Sequence, residues 1–365
     1  MDHVFSLVKS LSQSEKRYFV RFSKFQTPAT TNTYLALFNR LVKVDVYNEK
    51  ELKKEFGALH FAQLKQQLYK KLMQSLRLYY TANSAQNEVF VHLHNYKLLA
   101  SRGLQIFAEK ELKRAERIAN EAEMSHESAI IFRERNMLIN GMSNVFELQT
   151  RITENEEFLK QQIENISNEH QYEKIFLEIE VLNKQLESTR NKEEMIRVTN
   201  FLKNPLLTNE ESALSLQSKI YFHFSKGLAL YLMSDYTNCH TEMKTASTLL
   251  EKNENILGKQ EDLYVRSMAN QCLTAIHENK FEDYKNNHSK LSKVKLIDLS
   301  IHDYRNYILY ILQLMYLNKV KEYDNAITLI ASNEVFSKEM ENKMAQKTGI
   351  TQEKVYSVFQ KAIAY

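Results

Sequence analysis

The scarcity of glycine and proline is the feature that most constrains how this chain can fold. It has six glycines and two prolines in 365 residues, where average usage would give roughly 25 and about 18. Because these residues form many turns and interrupt helices, the composition predicts an almost entirely α-helical protein. The glycines are also far apart, whereas phosphate loops and dinucleotide fingerprints need several glycines close together. Both motifs are therefore excluded.

Length and charge restrict the architecture and the class of partner. A chain of 365 residues exceeds the roughly 250–300 residues at which a single core stops growing, so it forms two domains or an elongated stack of repeats. Its hydrophobic content of 43% is enough for a buried core. Residues 1–80 contain 14 Lys/Arg against 6 Asp/Glu. This excess indicates either an anionic partner for the N-terminal part or a solvated basic face.

The cysteines and the apolar runs bear on the compartment. Cys239 and Cys272 are the only cysteines, and two separated thiols in a long chain favour a reducing environment over a disulfide framework. The N-terminus lacks the pattern of a secretory signal. The longest apolar run, residues 307–317, is too short to span a bilayer. We therefore expect a cytoplasmic protein without a membrane partner.

Helix start signals and polar breaks divide the chain into three predicted parts. A capping box, formed by Ser12 and Glu15, opens a helix within an N-terminal basic helical bundle over residues 1–84. Irregular helical hairpins follow over 85–204. More regular helical repeats follow over 205–365.

Two further expectations concern the middle of the chain. Helical periodicity predicts separate helices near 127–150, 153–167 and 171–188. A second capping box, formed by Thr208 and Glu211, is expected to restart the chain at the beginning of the third part. This point is either an internal boundary or a kink in a continuous stack of helices.

A repeat is visible in the third part. Tyr236, Phe281 and Tyr323 each follow a polar break, and they stand 45 and 42 residues apart. Each break separates a long apolar helix from a shorter amphipathic one. A period of this length indicates a repeating helical hairpin.

These hairpins resemble tetratricopeptide repeats that have diverged from the family consensus. Gly227 matches the small position of the first helix, and Cys239, Met243 and Ala246 match the small, bulky and small positions of the second. The chain lacks the tryptophan and the closing proline of the family, and its period exceeds 34 residues. In the N-terminal part, residues 14–19 together with residues 72–80 resemble uncharacterised bacterial helical-repeat proteins. That resemblance supplies no activity.

The resemblance implies an all-α fold, a right-handed superhelix of antiparallel helical hairpins (a TPR-like α-solenoid) with an N-terminal helical bundle. The first helices of such pairs form a curved inner surface. We expect a non-enzymatic scaffold that binds a protein or peptide in this groove, the alternative being a groove covered by the chain's own N-terminal helices. The predicted partner-binding residues are Tyr221, Phe224, Tyr231, Arg266, Ile308 and Asn318.

A second hypothesis, a DNA-binding transcriptional regulator, comes from residues 48–80. A short helix, a break at Gly57 and a second helix outline a helix-turn-helix. Joined to a repeat domain that senses peptides, this outline would resemble peptide-responsive bacterial regulators. In this alternative, glutamines contact base edges and basic side chains contact phosphates. The residues are Gln63, Gln66, Gln67, Lys65, Lys70, Lys71 and Arg77.

The sequence shows no arrangement typical of catalysis or of cofactor or metal binding. His92 and His94 point about 200° apart on a helix, so they cannot share one metal ion. Neither cysteine lies on a strained turn beside a base, as a nucleophile would. We therefore expect no catalytic, cofactor-binding or metal-binding residues.

Overall fold

The computed structural model describes residues 2–26, 33–81, 84–139, 145–185, 192–296 and 298–332. Within these ranges all regular secondary structure is helical, which confirms the predicted all-α class. The chain divides into two compact units, Met1–Ser143 and Asn144–Tyr365. This division coincides with neither of the two predicted boundaries, which follow residues 84 and 204.

The helices of the first unit surround two apolar cores. One core lies between α1, α2, α3 and α5 and includes the fully buried Phe19, Phe38 and Leu72. The other lies between α6, α7 and α8 and includes Leu112. Helices α5 and α6, on either side of residue 84, contact each other within this unit. The helices are α1 (His3–Ser10), α2 (Gln13–Gln26), α3 (Thr33–Lys43), α4 (Glu49–Phe56), α5 (Phe61–Thr81), α6 (Ala85–Ala100), α7 (Gln105–Glu121) and α8 (Ser125–Ile139).

The second unit has one large core shared by packed helix pairs. Helices α11 and α12 form one pair, α14 and α15 form the next, and α12 also packs against α14. Helix α9 packs along α11. The helices are α9 (Val145–Gln185), α10 (Lys192–Leu202), α11 (Leu216–Leu232), α12 (Tyr236–Glu251), α13 (Glu254–Leu257), α14 (Glu261–His277), α15 (Phe281–Lys293), α16 (Leu299–Lys319) and α17 (Tyr323–Ser332).

Helix α9 differs from the expectation for this region. It is a single helix of 41 residues, whereas three helices were predicted over 127–150, 153–167 and 171–188. The sequence of α9 contains neither glycine nor proline. The predicted breaks were therefore wrong, because one continuous helix runs through both of them.

The turns of the C-terminal pairs share one geometry. Ser234, Asn279 and Lys321 have φ values of 63°, 60° and 64°, and they are separated by the predicted 45 and 42 residues. In each turn the next residue's amide donates to the carbonyl five residues earlier, as in Asp235 N–H to Leu230 O. This is the left-handed helix cap that usually employs glycine. The chain therefore makes repeated reversals with almost no glycine.

The two predicted capping boxes have different outcomes. Ser12 Oγ accepts from Glu15 N–H at 3.3 Å, and Glu15 Oε2 accepts from Ser12 N–H at 2.6 Å, so the first box is confirmed. The second does not form: Thr208 Oγ1 donates to Pro205 O. Asn209 instead accepts from the backbone N–H of Glu211.

Candidate functional site

The predicted partner-binding residues of α11 lie beside α9. Phe224 has no exposed surface, and its ring meets the edge of Phe176 at 5.7 Å. Phe176 also stacks on half-buried Tyr221, with ring centroids 5.2 Å apart. Phe224 therefore reaches a partner only if α9 moves away. This surface of α11 is covered by the chain itself, through α9.

Arg266 is engaged by the same helix. Its guanidinium forms an ion pair with Glu180 of α9 and lies 4.8 Å from the ring centroid of Phe224 and 5.8 Å from that of Phe176. Both its charge and its planar face are thus satisfied within the second unit. The apolar stripe of α9 is visible in the sequence, but nothing in the repeat pattern predicted that it packs here.

The remaining three predicted residues do not complete an open surface. Ile308 is buried, whereas Asn318 is half-buried. Tyr231 is half-buried within an aromatic cluster, where Tyr236 and His277 stack with ring centroids 4.3 Å apart. The six residues therefore occupy a mixture of core and surface positions.

A polar cluster links α11 and α12 inside the second unit. His223 Nδ1 lies 2.6 Å from Glu242 Oε2, and Lys226 Nζ lies 2.8 Å from Glu242 Oε1. Burial raises the pKa of Glu242, but the hydrogen bonds and positive charges of His223 and Lys226 outweigh burial and bring this pKa below its ordinary value of 4.5. The carboxylate is therefore held in its ionised form.

We expect the Glu242→Gln variant to be less stable than the wild type at neutral pH. A carboxyl group whose pKa is lowered by folding contributes stability above the pKa of the unfolded chain, and this contribution is lost as the pH falls through the folded value. The difference in unfolding free energy should therefore shrink below about pH 4.5. Urea titrations over a pH series would measure it, with exposed Glu211→Gln as control. Equal stability of wild type and Glu242→Gln at neutral pH would contradict this expectation.

Both cysteines are fully buried. Burial raises the pKa of the Cys239 thiol to about 12, and burial likewise raises that of Cys272 to about 12. Both thiols are thus protonated at neutral pH and inaccessible to a substrate. Within the described residues, no group of three or more His, Cys, Asp or Glu side chains is arranged to hold a metal ion.

The helix-turn-helix outline in the first unit consists of α4, residues 57–60 and α5. Gln63, Gln66, Gln67 and Lys70 are exposed, while Lys71 is half-buried. The structure thus leaves most of the predicted nucleic-acid residues at the surface of α5. Phe61, at the start of this helix, is buried in the core.

Lys65 is the exception among these basic residues. Its Nζ donates to Asp2 Oδ2 at 2.6 Å and to Tyr47 Oη at 3.2 Å, and only 18% of its side chain is exposed. Burial lowers the pKa of Lys65, but its bonds to Asp2 and Tyr47 reverse this effect and raise it overall. The side chain therefore joins α5 to the start of α1 and is not placed to meet phosphate.

A cleft opens between α5 and α6, with a volume of about 600 Å³. Each wall is a stripe of side chains that follows one face of its helix for two turns. Phe90 and Val91 are consecutive residues of α6 that are 45% and 39% exposed, so they present apolar surface side by side in the cleft. Arg77 and His94 supply polar groups. The residues lining the cleft are Met73, Leu76, Arg77 and Tyr80 from α5, and Asn87, Phe90, Val91, His94 and Asn95 from α6.

The sequence contains a signal for this cleft that the repeat argument did not use. The apolar residues of α6 are spread around the helix instead of forming one stripe. One set, including Val89 and Leu93, enters the core, and a second set, including Phe90 and Val91, remains at the surface. A helix that is apolar on two faces has a partner for each face or exposes one of them.

The histidines of α6 also separate as expected. His92 Nδ1 lies 2.8 Å from Glu111 Oε2, whereas His94 lines the cleft. They lie on different sides of the helix. Arg77 of α5 lines the cleft, and it is also one of the basic residues that were predicted to contact phosphates.

Neither the membrane-span search nor the comparison with known proteins gives a positive match. Among the helices that the structure describes, none combines the length and apolarity needed to cross a bilayer. No protein-family model, curated protein or solved structure matches the chain.

Proposed function

We propose that this protein is a non-enzymatic binding protein that takes an apolar segment of another protein into the cleft between α5 and α6. The observation that carries the proposal is the exposure of Phe90 and Val91 inside a cleft of about 600 Å³. Contiguous exposed apolar surface rimmed by polar groups is typical of interaction sites. The cleft volume also lies within the roughly 300–1,000 Å³ of ordinary ligand pockets.

We favour the cleft over the groove of the C-terminal hairpins because side chains of that groove already contact α9. Phe224 and Arg266 already contact Phe176 and Glu180 of α9. A partner at that surface would have to break these contacts and would lose their free energy. We expect a partner in the α5–α6 cleft to displace no helix of the first unit, because Phe90 and Val91 are already exposed there.

The architecture we propose for the C-terminal hairpins is a TPR-like right-handed superhelix. Its support is the shared cap geometry at Ser234, Asn279 and Lys321, together with the packing of α12 between α11 and α14. Repeats of this kind bury one continuous core and provide a rigid body for a binding site. The two free thiols, Cys239 and Cys272, fit a cytoplasmic location.

We expect Phe90→Asp to weaken partner binding at least about tenfold, because it places a charge against an apolar ligand surface. Ligands would first be selected from a displayed library of helix-forming peptides on the full-length protein. Fluorescence anisotropy would then compare the selected peptides on the wild type and the variant. Thermal unfolding would check that the variant is folded.

The matched control is Phe107→Asp on α7, where the phenylalanine is 56% exposed and does not line the cleft. It introduces the same charge into the same unit and should leave the affinity unchanged. Selected peptides that bind both variants as tightly as the wild type would overturn the proposed function.

Nucleic-acid binding remains a second candidate because Gln63, Gln67 and Lys70 are exposed on one helix. The engagement of Lys65 with Asp2 argues against it. Anisotropy with random duplex DNA over a salt series separates the two candidates. Tight binding that weakens steeply with salt and requires Lys70 would favour the regulator, whereas the proposed function predicts no such dependence.

A further inference from the structure

Helix α2 presents a positively charged face to solvent. The side chains of α2 that the structure describes as exposed all fall within an arc of about 120°, since each residue turns the helix by about 100°. Three of these side chains are cations, two are uncharged polar groups, one is aromatic and none is acidic. They are Gln13, Ser14, Arg17, Arg21, Lys24 and Phe25.

The cations of this face are not neutralised within the part of the chain that the structure describes. Neither an ion pair nor a hydrogen bond joins the charged groups of Arg17, Arg21 or Lys24 to another described residue. The one carboxylate of α2 belongs to Glu15, which lies about 200° around the helix from Arg17. Glu15 accepts instead from Ser12 N–H and from the Tyr80 hydroxyl. The positive charge of the face is therefore available to a ligand.

Other charged helices of the first unit have a mixed surface. Helix α4 has three lysines and three glutamates, and α7 has four basic and four acidic residues. Helix α2 has four basic residues and one glutamate. An anionic ligand is therefore repelled less by α2 than by α4 or α7.

The face of α2 combines the two kinds of group by which proteins hold a single strand of nucleic acid. Such sites use cations along the phosphate backbone and aromatic rings on which bases stack. Arg17 and Arg21 offer guanidinium groups, which pair with phosphate through two N–H donors. Phe25 is 91% exposed and directly follows Lys24 in the chain. Its ring is therefore placed to stack on a base whose phosphate is bound by the neighbouring cations.

Three other anionic partners fit this face less well. A helix that lies in a membrane surface buries its apolar side among the lipids, whereas the apolar side of α2 is in the protein core through Phe19. An acidic peptide would pair with the cations but offers no planar base to Phe25. A duplex keeps its bases stacked on each other, so the ring requires an unpaired one.

From these observations we infer that the exposed face of α2 binds single-stranded nucleic acid. Arg17, Arg21 and Lys24 contact phosphates, and Phe25 stacks on a base. Phosphate contacts and stacking read no sequence, so the site accepts strands of different sequence. It is separate from the α5–α6 cleft, and it differs from duplex recognition by α5 in both its helix and its ligand.

The test is fluorescence anisotropy of the full-length protein with oligothymidylate and oligouridylate strands about 12 nucleotides long. For three phosphate contacts the logarithm of the affinity should fall with the logarithm of the salt concentration with a slope of about −2. The double variant Arg17→Gln/Arg21→Gln should bind at least about tenfold more weakly at low salt, with a slope of about −0.7. This behaviour with either strand supports the inference, and the comparison of DNA with RNA identifies the preferred sugar.

The matched control for the charges is Lys50→Gln/Lys54→Gln on α4, which removes two exposed cations from the same unit. It should change the affinity by less than about twofold, because contacts with phosphate and not the overall charge hold the strand. Thermal unfolding would check that both double variants are folded.

Stacking by Phe25 has a test of its own. Phe25→Ala should weaken binding of the thymidylate strand at least about fivefold. It should leave the affinity for an abasic strand of the same length unchanged, because that strand has phosphates but no bases. Arg17→Gln/Arg21→Gln should weaken binding of both strands.

Three results would overturn the inference. Equal weakening by the α2 and α4 double variants would show that only the charge of the unit matters. Full affinity of Phe25→Ala for the thymidylate strand would show that no base stacks on the ring. Failure of both oligonucleotides to bind at low salt would leave a different anion as the ligand, which phosphatidylserine vesicles and polyglutamate would then identify as lipid or acidic protein.

Discussion

The Phe224→Ala variant is expected to lose about 3–5 kcal/mol of unfolding free energy, the usual range for truncating a buried phenylalanine. The ring has no exposed surface and packs between Phe176 of α9 and the guanidinium of Arg266. Its removal leaves a cavity and takes away one face of the Arg266 contact. The change is measured as the shift in urea midpoint at constant slope, followed by circular dichroism.

The control for this prediction is Phe90→Ala, which truncates a phenylalanine that is 45% exposed. It should cost less than about 1 kcal/mol, as substitutions at the surface usually do. A loss below about 1 kcal/mol for Phe224→Ala would show that α9 does not cover α11 in solution. Phe224 and Arg266 would then again be candidates for contact with a partner. The same measurement therefore tests the choice between the two surfaces.

Local features of this fold could be predicted from the sequence because they depend on nearby residues. The spacing of Tyr236, Phe281 and Tyr323 predicted intervals of 45 and 42 residues between successive turns. The structure has turns at these intervals, at Ser234, Asn279 and Lys321. Turn positions follow from where helices stop, and a polar break marks that point within a few residues. The capping box at Ser12 is equally local, since both of its bonds join residues three apart.

Contacts between distant segments could not be predicted in this way. Arg266 and Glu180 are 86 positions apart in the chain, and their pairing depends on how α9 packs along α11. The repeat pattern placed Phe224 on the inner surface, but periodicity does not state whether another helix covers that surface. Lys65 was misread for the same reason, because its partner Asp2 lies 63 residues away.

The cleft shows a third kind of limit. The apolar residues of α6 predict that this helix is buried, and Val89 and Leu93 fulfil this. The pattern of apolar residues in α6 does not predict which of its two apolar faces lacks a covering helix. That depends on the helices available on each side, and only the assembled unit shows that Phe90 and Val91 remain exposed. The sequence thus shows that α6 carries apolar residues on two faces, but only the structure shows which of these residues line the cleft.

The Gly227→Val variant is expected to lose about 1–3 kcal/mol of unfolding free energy, as is usual for overpacking at a tight contact. Gly227 lies on α11 where this helix meets α12. A Cβ atom at this position would lie 3.1 Å from Met243 Cε and 3.2 Å from both Met243 Cγ and Glu242 Cβ. The methionine side chain can move, but Glu242 Cβ is attached to the backbone of α12. The two helices must therefore separate slightly to admit the larger side chain.

Gly227→Ala is the matched variant, because it adds only the Cβ atom. An alanine in a helix is more favourable than glycine by roughly 0.8–1 kcal/mol, and this gain should offset most of the contact with Met243. We therefore expect the alanine variant to lie within about 1 kcal/mol of the wild type and the valine variant to be clearly less stable. Urea unfolding of the three proteins measures the series. If valine were as well tolerated as alanine, the helices α11 and α12 would be farther apart in solution than in this structure, and the close approach that Gly227 permits would not be what fixes the hairpin.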